Sequence, residues 1–428
     1  MRASFTNVAS AAFALCASCT GSDGVRGEPS PKKSNESSAT VLRTGDSTRA
    51  AVGRTSADMA AREVTVMPRP AVVRGLYVNR WAALGSRMWE LIDVAKRTEV
   101  NALVIDIKDD RGFLLYRSSV PLARAIGADT NRPISPKRLR AVLDSMRANA
   151  IFPIARIVVA KDPLLADAKR EWAVKRRSDG SAWLDKNGKP WLDPHHREIW
   201  AYAGDLADEA IALGFSEAQF DYVRFPDDPR LIRQATFPLA KGRSRATVIH
   251  EQLGYLHERL RAKHVPMSID VFGLTMSDST DMGIGQQWEK FITQADVVQP
   301  MTYPSHYAPD TYDLHNPNAH PYAVIDNAMR DAHRRSAGIA HAARIVPWYQ
   351  DFTLGSPHYD ADHVRAQMQA GYDNGVRSWL LWNPGSKYTV SALRPAILSE
   401  AEERSRGKAA TKTVNAMKHT GDRKVAPR

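Results

Sequence analysis

The chain has 428 residues, of which 43% are hydrophobic and 25% are charged, and its formal net charge is +12. This length suits one large α/β barrel or two ordinary domains, and the composition is normal for a globular protein. Lys and Arg exceed Asp and Glu by three in residues 1–69 and by five in residues 401–428, so most of the surplus lies at the chain ends. This distribution does not favour a nucleic-acid partner.

The first 19 residues, MRASFTNVASAAFALCASC, combine one arginine with a short apolar run of small residues. The pattern is typical of a bacterial export signal rather than a membrane-spanning helix. Cys19 follows Ala17 and Ser18, as the lipid-accepting cysteine does in lipoprotein signals; an ordinary cleaved signal is the alternative. We therefore expect an exported protein that is periplasmic, secreted, or attached to the outer membrane through a lipid on Cys19.

Residues 20–69 are rich in small, polar and charged residues, and residues 401–428 have a similar composition. Such segments cannot bury enough apolar surface to offset the entropy lost on ordering. The sequence therefore predicts a disordered linker over 20–69, a folded domain over 70–400 and a basic disordered tail over 401–428.

Strand-like and helix-like segments alternate regularly through the predicted domain. Eight strands alternating with eight helices indicate a (β/α)8 TIM barrel of the α/β class. A doubly wound open sheet is the alternative, but LYVNRWAALGS lacks the G-x-G-x-x-G turn common in that fold. The predicted strands cover 72–78, 101–108, 151–159, 217–225, 266–274, 296–303, 343–350 and 378–382, and the predicted helices cover 86–98, 136–148, 198–213, 245–263, 286–294, 321–337, 360–374 and 389–404.

Three of the predicted strands each contain an aspartate among apolar neighbours. Side chains alternate between the two faces of a strand, and the faces that pack on helices should be apolar. This alternation points Asp106, Asp221 and Asp270 into the barrel. All three lie near the C-terminal ends of their strands, where TIM-barrel enzymes assemble their active sites. The sequence thus predicts three carboxyl groups at one mouth of the barrel.

A structural ion pair between Asp221 and Arg224 is the alternative explanation for that one strand. Lys108, which the alternation places on the same face as Asp106, and Arg156 are further cations that could compensate the buried charge. Compensation alone does not explain why acids converge from three strands.

Paired carboxyl groups on neighbouring strands are what hydrolysis of a glycosidic bond requires. One carboxyl protonates the leaving oxygen, and the other attacks the anomeric carbon or activates a water molecule. We expect Asp221 to be the nucleophile or base and Asp270 the acid, with the reverse assignment open, and Asp106 to complete the catalytic set. A divalent metal held by the aspartates is the chemical alternative. The histidines form no convincing metal site, and we expect neither a metal nor another cofactor.

A long loop follows the third predicted strand, and it contains the turn-forming pairs Asp179-Gly180 and Asn187-Gly188. These pairs predict a small hairpin over the mouth of the barrel. We expect Trp183 and Trp191 in this loop to stack on sugars; packing into a core of the loop itself is the alternative. Further candidate substrate-binding residues are Lys108, Arg224, Tyr303, His306, Trp348, Asp351 and Trp382.

Several longer motifs occur in a fixed order between Val73 and Tyr388. They are RGLYVN, NALVIDIKDDRG, KDPLLADAKREWAV followed by WLDP, GFSEAQFDYVRFP, SIDVFGLT, IGQQWEK, VVQPMTYPSHY and PWYQDF. In their order, spacing and wording the sequence resembles the bacterial family of putative glycoside hydrolases with a TIM-barrel domain, long catalogued as a domain of unknown function. The resemblance implies a TIM barrel, polysaccharide cleavage, and acidic site residues at Asp106, Asp221 and Asp270.

The sequence therefore predicts a glycosidase that cleaves a cell-envelope or extracellular polysaccharide, acts as a monomer, and contacts a membrane at most through its N-terminal lipid. Two alternatives remain: a non-catalytic envelope lipoprotein that binds glycans, and a metal-dependent hydrolase that modifies carbohydrates.

Overall fold

The computed structural model describes residues 66–396. The export signal with Cys19, most of the predicted linker, and the predicted basic tail lie outside the described residues. Within 66–396, the strands are β1 (Arg74–Val78), β2 (Ala102–Lys108), β3 (Phe152–Val158), β4 (Lys175–Arg176), β5 (Glu217–Asp221), β6 (Ala235–Thr236), β7 (Met267–Phe272), β8 (Val297–Met301), β9 (Arg344–Ile345), β10 (Trp348–Gln350) and β11 (Trp379–Trp382).

Nine of these strands form one parallel sheet in the order β10-β11-β1-β2-β3-β5-β7-β8-β9. A further pairing of β10 with β8 closes the sheet, and β9 and β10 together occupy one of its eight positions. The closed barrel confirms the predicted (β/α)8 TIM fold. Strands β4 and β6 pair separately, outside the barrel.

Helices connect successive barrel strands and cover the outside of the sheet. In α4, for example, Leu139, Val142, Leu143 and Met146 recur on one face and are buried, as expected for an amphipathic helix. The helices are α1 (Arg80–Leu84), α2 (Arg87–Arg97), α3 (Pro121–Ala125), α4 (Pro136–Ala148), α5 (Pro163–Ala168), α6 (Arg197–Leu213), α7 (Arg245–Arg261), α8 (Trp288–Phe291), α9 (Pro321–Ser336) and α10 (Ala361–Asp373). The part of the chain from 66 to 396 contains no helix that is both long and apolar enough to span a bilayer.

Two of the predicted helices differ from the structure. The segment predicted over 286–294 is reduced to the single turn of α8. The segment predicted from 389 begins as a 3-10 turn at Val390–Ala392, and its part beyond residue 396 lies outside the described range.

The N-terminal end of the barrel is closed by residues that the composition assigned to the linker. Arg69 forms a 2.7 Å ion pair with Glu217, whose side chain is fully buried at the start of β5. The backbone N–H of Met67 donates to Ser216 Oγ at 3.0 Å, and the Met67 side chain packs against the interior of the barrel. These contacts cover the end of the barrel at which the strands begin. The opposite end, at which the strands terminate, is called the mouth.

The side-chain alternation on β2 is interrupted after Asp106. Asp106 lies opposite Arg156 on β3, whereas Lys108 lies opposite the next residue, Ile157, so β2 contains one extra residue at this point. Such a bulge changes the face to which the following side chain points. The prediction that Lys108 faces the mouth with Asp106 and binds substrate is therefore wrong. Its ammonium group lies 2.7 Å from Asp162 and is buried outside the barrel.

Strand β5 is shorter than predicted. It ends at Asp221, because Tyr222 has a φ of +53° and leaves the extended conformation. Val223 consequently packs in the core between the sheet and the helices rather than on the face of Asp221. The break places the Asp221 carboxylate at the last position of the strand.

The long loop after β3 forms the predicted hairpin and adds a third antiparallel segment. Bridges join Lys175 to Ala182 and Leu184 to Pro190, and tight turns lie between them. Trp183 and Trp191 are 2% and 3% exposed and pack with Val174, Ala160 and Ala235. The two rings therefore form the core of the loop itself, and the expectation that they provide an open surface for stacking sugars is wrong.

Candidate active site

The three predicted aspartates converge on the guanidinium of Arg156 inside the mouth of the barrel. Nη1 of Arg156 donates to Asp106 Oδ1 at 2.5 Å, and Nη2 donates to Asp221 Oδ2. Nε lies 3.6 Å from Asp270 Oδ2. One planar guanidinium thus contacts carboxylates from three strands. The alternative pairing of Asp221 with Arg224 is wrong, because Arg224 lies instead 3.3 Å from Asp227.

Aromatic residues from β1, β10 and β11 form one wall of this cluster. The Tyr77 hydroxyl donates to Asp106 Oδ2 at 2.5 Å, and Trp348 Nε1 donates to Asp270 Oδ1 at 2.6 Å. Trp382 stacks on Tyr77 with 3.9 Å between ring centroids. The rings of Trp382 and Tyr77 lie 5.1 Å and 5.4 Å from the Arg156 guanidinium carbon, within the range of a cation–π contact.

Burial sets the protonation of the cluster. It raises the pKa of the Asp106 carboxyl from 3.8 to about 6, although Arg156 beside it lowers that pKa. Burial, and next the charge of Asp221, raise the pKa of Asp270 well above its ordinary value. Burial lowers the pKa of Arg156, but the surrounding carboxylates raise it more, and the guanidinium stays charged. Since one cation cannot balance three buried carboxylates, the arrangement favours a proton on at least one of them.

Asp270 is the carboxyl group best suited to hold that proton. Its contact with Arg156 is the longest of the three, and its side chain is only 2% exposed. Asp221 is in closer contact with the cation, because an Nη of Arg156 donates directly to its Oδ2, and the backbone N–H of Tyr222 donates to its Oδ1. The site therefore places a carboxyl group whose burial favours the protonated form beside a second carboxyl group that accepts hydrogen bonds from Arg156 and the backbone, and acid/base hydrolysis uses such a pair.

A pocket opens beside this cluster, between the loops that follow β3 and β5. Arg224 forms part of its wall and is enclosed by the rings of Trp191, Tyr222 and Phe272, at 4.6 to 5.1 Å from its guanidinium carbon. Lys161 lies 5.1 Å from the Tyr222 ring on the same side. The pocket is lined by Lys161, Trp183, Asp185, Trp191, Tyr222 and Arg224, among others. Trp183 and Trp191 thus border this pocket although they are 2% and 3% exposed.

Tyr303 and His306, two other predicted substrate-binding residues, pack beside the aromatic wall, with His306 next to Tyr303. Tyr303 is 5% exposed, and its ring lies 6.4 Å from that of Trp382. His306 packs 5.4 Å from Tyr303, and burial lowers its pKa to about 4, so its imidazole is neutral at pH 7. Tyr303 and His306 thus pack beside the aromatic wall, and their role in substrate binding stays a prediction.

The structure contradicts the prediction that Asp351 is open to substrate. Its two oxygens accept hydrogen bonds from the backbone N–H and the hydroxyl of Thr389, at 2.9 Å and 2.7 Å, and its side chain is buried. Burial raises the pKa of this carboxyl, and the two bonds from Thr389 lower it. Asp351 therefore anchors the loop after β11 and does not form a rim open to substrate.

Sequence reasoning missed the central role of Arg156 and the participation of Tyr77. An arginine within the apolar run IFPIARIVV indicated this role, because an unpaired buried guanidinium would be strongly destabilising.

In residues 66–396, no group of three or more His, Cys, Asp or Glu side chains is arranged to hold a metal ion.

Residues 75–388 match the model of a family described as "Putative glycosyl hydrolase domain". A hypothetical protein from Ruminiclostridium thermocellum ATCC 27405 is 38% identical, and the match covers 46% of this chain and 97% of that chain with a TM-score of 0.41. The comparison with curated proteins gave no match.

Two more distant solved structures show the same fold. The PgaB (BpsB) glycoside hydrolase domain from Bordetella bronchiseptica is 15% identical, with 76% of this chain and 99% of that chain covered and a TM-score of 0.52. Alpha-L-fucosidase isoenzyme 2 from Paenibacillus thiaminolyticus is 12% identical. The match covers 75% of this chain and 47% of the fucosidase chain, with a TM-score of 0.50.

Proposed function

The chain belongs to the glycosyl hydrolase domain family that its residues 75–388 match, and from this premise we propose that it is a glycoside hydrolase. We propose that its substrate is a cell-envelope or extracellular polysaccharide. The observation that carries the proposal is the meeting of Asp106, Asp221 and Asp270 around Arg156 at the mouth of the barrel. Two carboxyl groups in different protonation states are the minimum that hydrolysis of a glycosidic bond needs.

In the proposed reaction, Asp270 donates its proton to the glycosidic oxygen while the bond between that oxygen and the anomeric carbon breaks. The Asp221 carboxylate either attacks the anomeric carbon or removes a proton from the water molecule that attacks it. In the first case, Asp270 then acts as the base that activates water to release the sugar from Asp221. Either route consumes one water molecule. The covalent route returns both carboxyl groups to their starting states, whereas the route with Asp221 as base leaves Asp221 protonated and Asp270 ionised, and proton exchange with solvent then restores them.

Arg156, Asp106 and Tyr77 have positioning roles in this scheme. Arg156 contacts all three carboxyl groups and fixes their relative orientation. Asp106 accepts from both Arg156 and Tyr77 and thereby holds the guanidinium in its plane. A rigid set of supporting hydrogen bonds keeps reacting groups close to the geometry that catalysis requires.

A glycan-binding module without catalysis is the second candidate. The observation that favours it is the low exposure of the acids: the side chains of Asp106, Asp221 and Asp270 are 4%, 6% and 2% exposed, and all contact one arginine. A buried ion network of this kind can be purely structural. The two candidates differ in whether the acids are needed for turnover.

The deciding experiment measures reducing-end release from a panel of bacterial polysaccharides, amino-sugar polymers included, with product masses determined by mass spectrometry. The wild-type protein is compared with its Asp221→Asn and Asp270→Asn variants. Release by the wild type and by neither variant supports the glycosidase. Equal release by all three proteins would refute the assignment of these acids, and glycan binding without release would favour the binding module.

We also propose that the protein is exported and attached to a membrane by a lipid on Cys19. The support is the signal-like sequence of the first 19 residues. Cell fractionation of the wild type and a Cys19→Ser variant tests this. The wild type should fractionate with membranes and the variant should be soluble outside the cytoplasm, whereas identical fractionation would refute lipid attachment.

A further inference from the structure

Trp81, in the first turn of α1, is a large aromatic residue that is left 45% exposed at the mouth of the barrel. The Arg80 guanidinium carbon lies 4.3 Å from the centroid of its ring, and that of Arg111 lies 5.4 Å away. Arg80 is itself 1% exposed and is fixed by hydrogen bonds to Asp109 Oδ2 and to the carbonyl of Asn131. The exposed ring is therefore held against a rigid, buried cation.

Trp81 lines a hollow between the segment α1–α2 and the loop that follows β11. Arg87 and Glu90 of α2, and Gly385 and Lys387 of that loop, also line it. Arg87 and Glu90 are ion-paired at 2.5 Å, and Lys387 is exposed. The hollow thus combines one flat apolar surface with several charged groups that can bond to hydroxyls.

The walls of this hollow are joined by hydrogen bonds. The backbone N–H of Asn79 donates to Ser386 Oγ at 2.9 Å, and Asn79 Nδ2 donates to the carbonyl of Pro384 at 2.8 Å. Arg87 Nε donates to the carbonyl of Ser386 at 2.9 Å. Since these bonds connect the loop after β1 to the loop after β11, the hollow exists before any ligand arrives.

The hollow adjoins the catalytic cluster through the aromatic wall. Tyr77, which donates to Asp106, precedes Asn79 by two residues, and Trp382, which stacks on Tyr77, precedes Gly385 by three. The pocket lined by Arg224 opens between different strands, β3 and β5. The hollow and this pocket thus follow different strands around the same mouth of the barrel.

We propose that Trp81 is the platform of a sugar-binding subsite remote from the cleaved bond, and that its occupant is a pyranose unit of the polysaccharide. The apolar C–H face of the sugar would stack on the exposed face of the ring, and its hydroxyls would bond to Lys387 and to the Arg87–Glu90 pair. This inference rests on the proposed function, and it specifies that function further: the substrate is a polymer long enough to reach from Asp270 to Trp81.

The test measures binding of the panel polysaccharides by affinity electrophoresis, with every variant made in an Asp221→Asn background to prevent turnover. Trp81→Ala is compared with Trp81→Phe, which keeps a flat ring, and with Trp89→Ala. Trp89 is a matched control, because it is 47% exposed but is not among the residues that line the hollow. Circular dichroism checks that each variant is folded.

We expect Trp81→Ala to weaken polymer binding by about 3- to 10-fold, Trp81→Phe to retain most of the affinity, and Trp89→Ala to have no effect. Equal affinities for Trp81→Ala and the background protein would overturn the subsite, and so would an equal loss in Trp89→Ala. Because binding is measured without turnover, loss of affinity in Trp81→Ala would support the subsite even if the wild type released no sugar. A background protein that bound no polymer would count against both proposals.

Discussion

Substitution of Asp106 by asparagine should change how the stability of the protein depends on pH. The Asp106 side chain is 4% exposed, and burial raises the pKa of its carboxyl from 3.8 to about 6. The folded state therefore binds this proton more tightly than the unfolded state does. Its contribution to stability is fully present below about pH 4 and is lost as the pH rises through 6. A difference of about two pKa units corresponds to about 3 kcal/mol of unfolding free energy.

Asp106→Asn removes this titration but keeps an oxygen that can accept from Tyr77 or Arg156. Relative to the wild type, the variant should therefore gain about 3 kcal/mol of unfolding free energy between pH 4 and pH 7. Urea denaturation followed by tryptophan fluorescence at several pH values measures this gain. Asp144→Asn is the control, because that side chain is 56% exposed and pairs with Arg147 on its own helix.

A constant difference between the Asp106→Asn variant and the wild type across this pH range would refute the reasoning. A variant that became less stable than the wild type as the pH rose would show that Asp106 is a fully ionised structural partner of Arg156.

Three further outcomes are expected. Asp221→Asn and Asp270→Asn should each lower kcat at least about 100-fold while the melting temperature stays equal or rises, because Asp221→Asn removes a buried negative charge from a cluster with one cation and Asp270→Asn replaces a buried carboxyl group with a neutral amide; a large loss of melting temperature in both would show a structural role instead. Arg156→Met should destabilise the protein by about 3–5 kcal/mol at pH 7 and by less at pH 4, where the raised pKa values of Asp106 and Asp270 favour their protonated forms, and chemical denaturation at both pH values measures this. Activity should fall as the pH rises through the raised pKa of Asp270, and this alkaline limb should be absent from the residual activity of Asp270→Asn; an alkaline limb at the same pH in that variant would exclude Asp270 as the acid.

The sequence predicted the barrel from the regular alternation of strands and helices, and it predicted the three inward aspartates from side-chain alternation along buried strands. It failed at Lys108 because the bulge in β2 is visible only in the pairing with β3. The prediction that Trp183 and Trp191 are open to sugars was wrong because the loop buries both rings in its own core, and composition does not distinguish a buried ring from an exposed one. The sequence places Arg156 in the third predicted strand. It does not show that Arg156 pairs with three aspartates, because these lie on other strands and their distances from Arg156 depend on the register of the sheet.

The closure of the barrel has a consequence for the order in which the protein can fold. Arg69 and its partner Glu217 are 148 residues apart, and the backbone N–H of Val73 donates to the hydroxyl of Ser378, 305 residues away. Strand β1 also pairs with β11, the last strand of the barrel. Contacts between residues so far apart in sequence form late and slow folding. The first strand therefore cannot reach its final pairing until the last one has been synthesised, and the aspartate cluster around Arg156, whose wall includes Trp382, is completed at the same step.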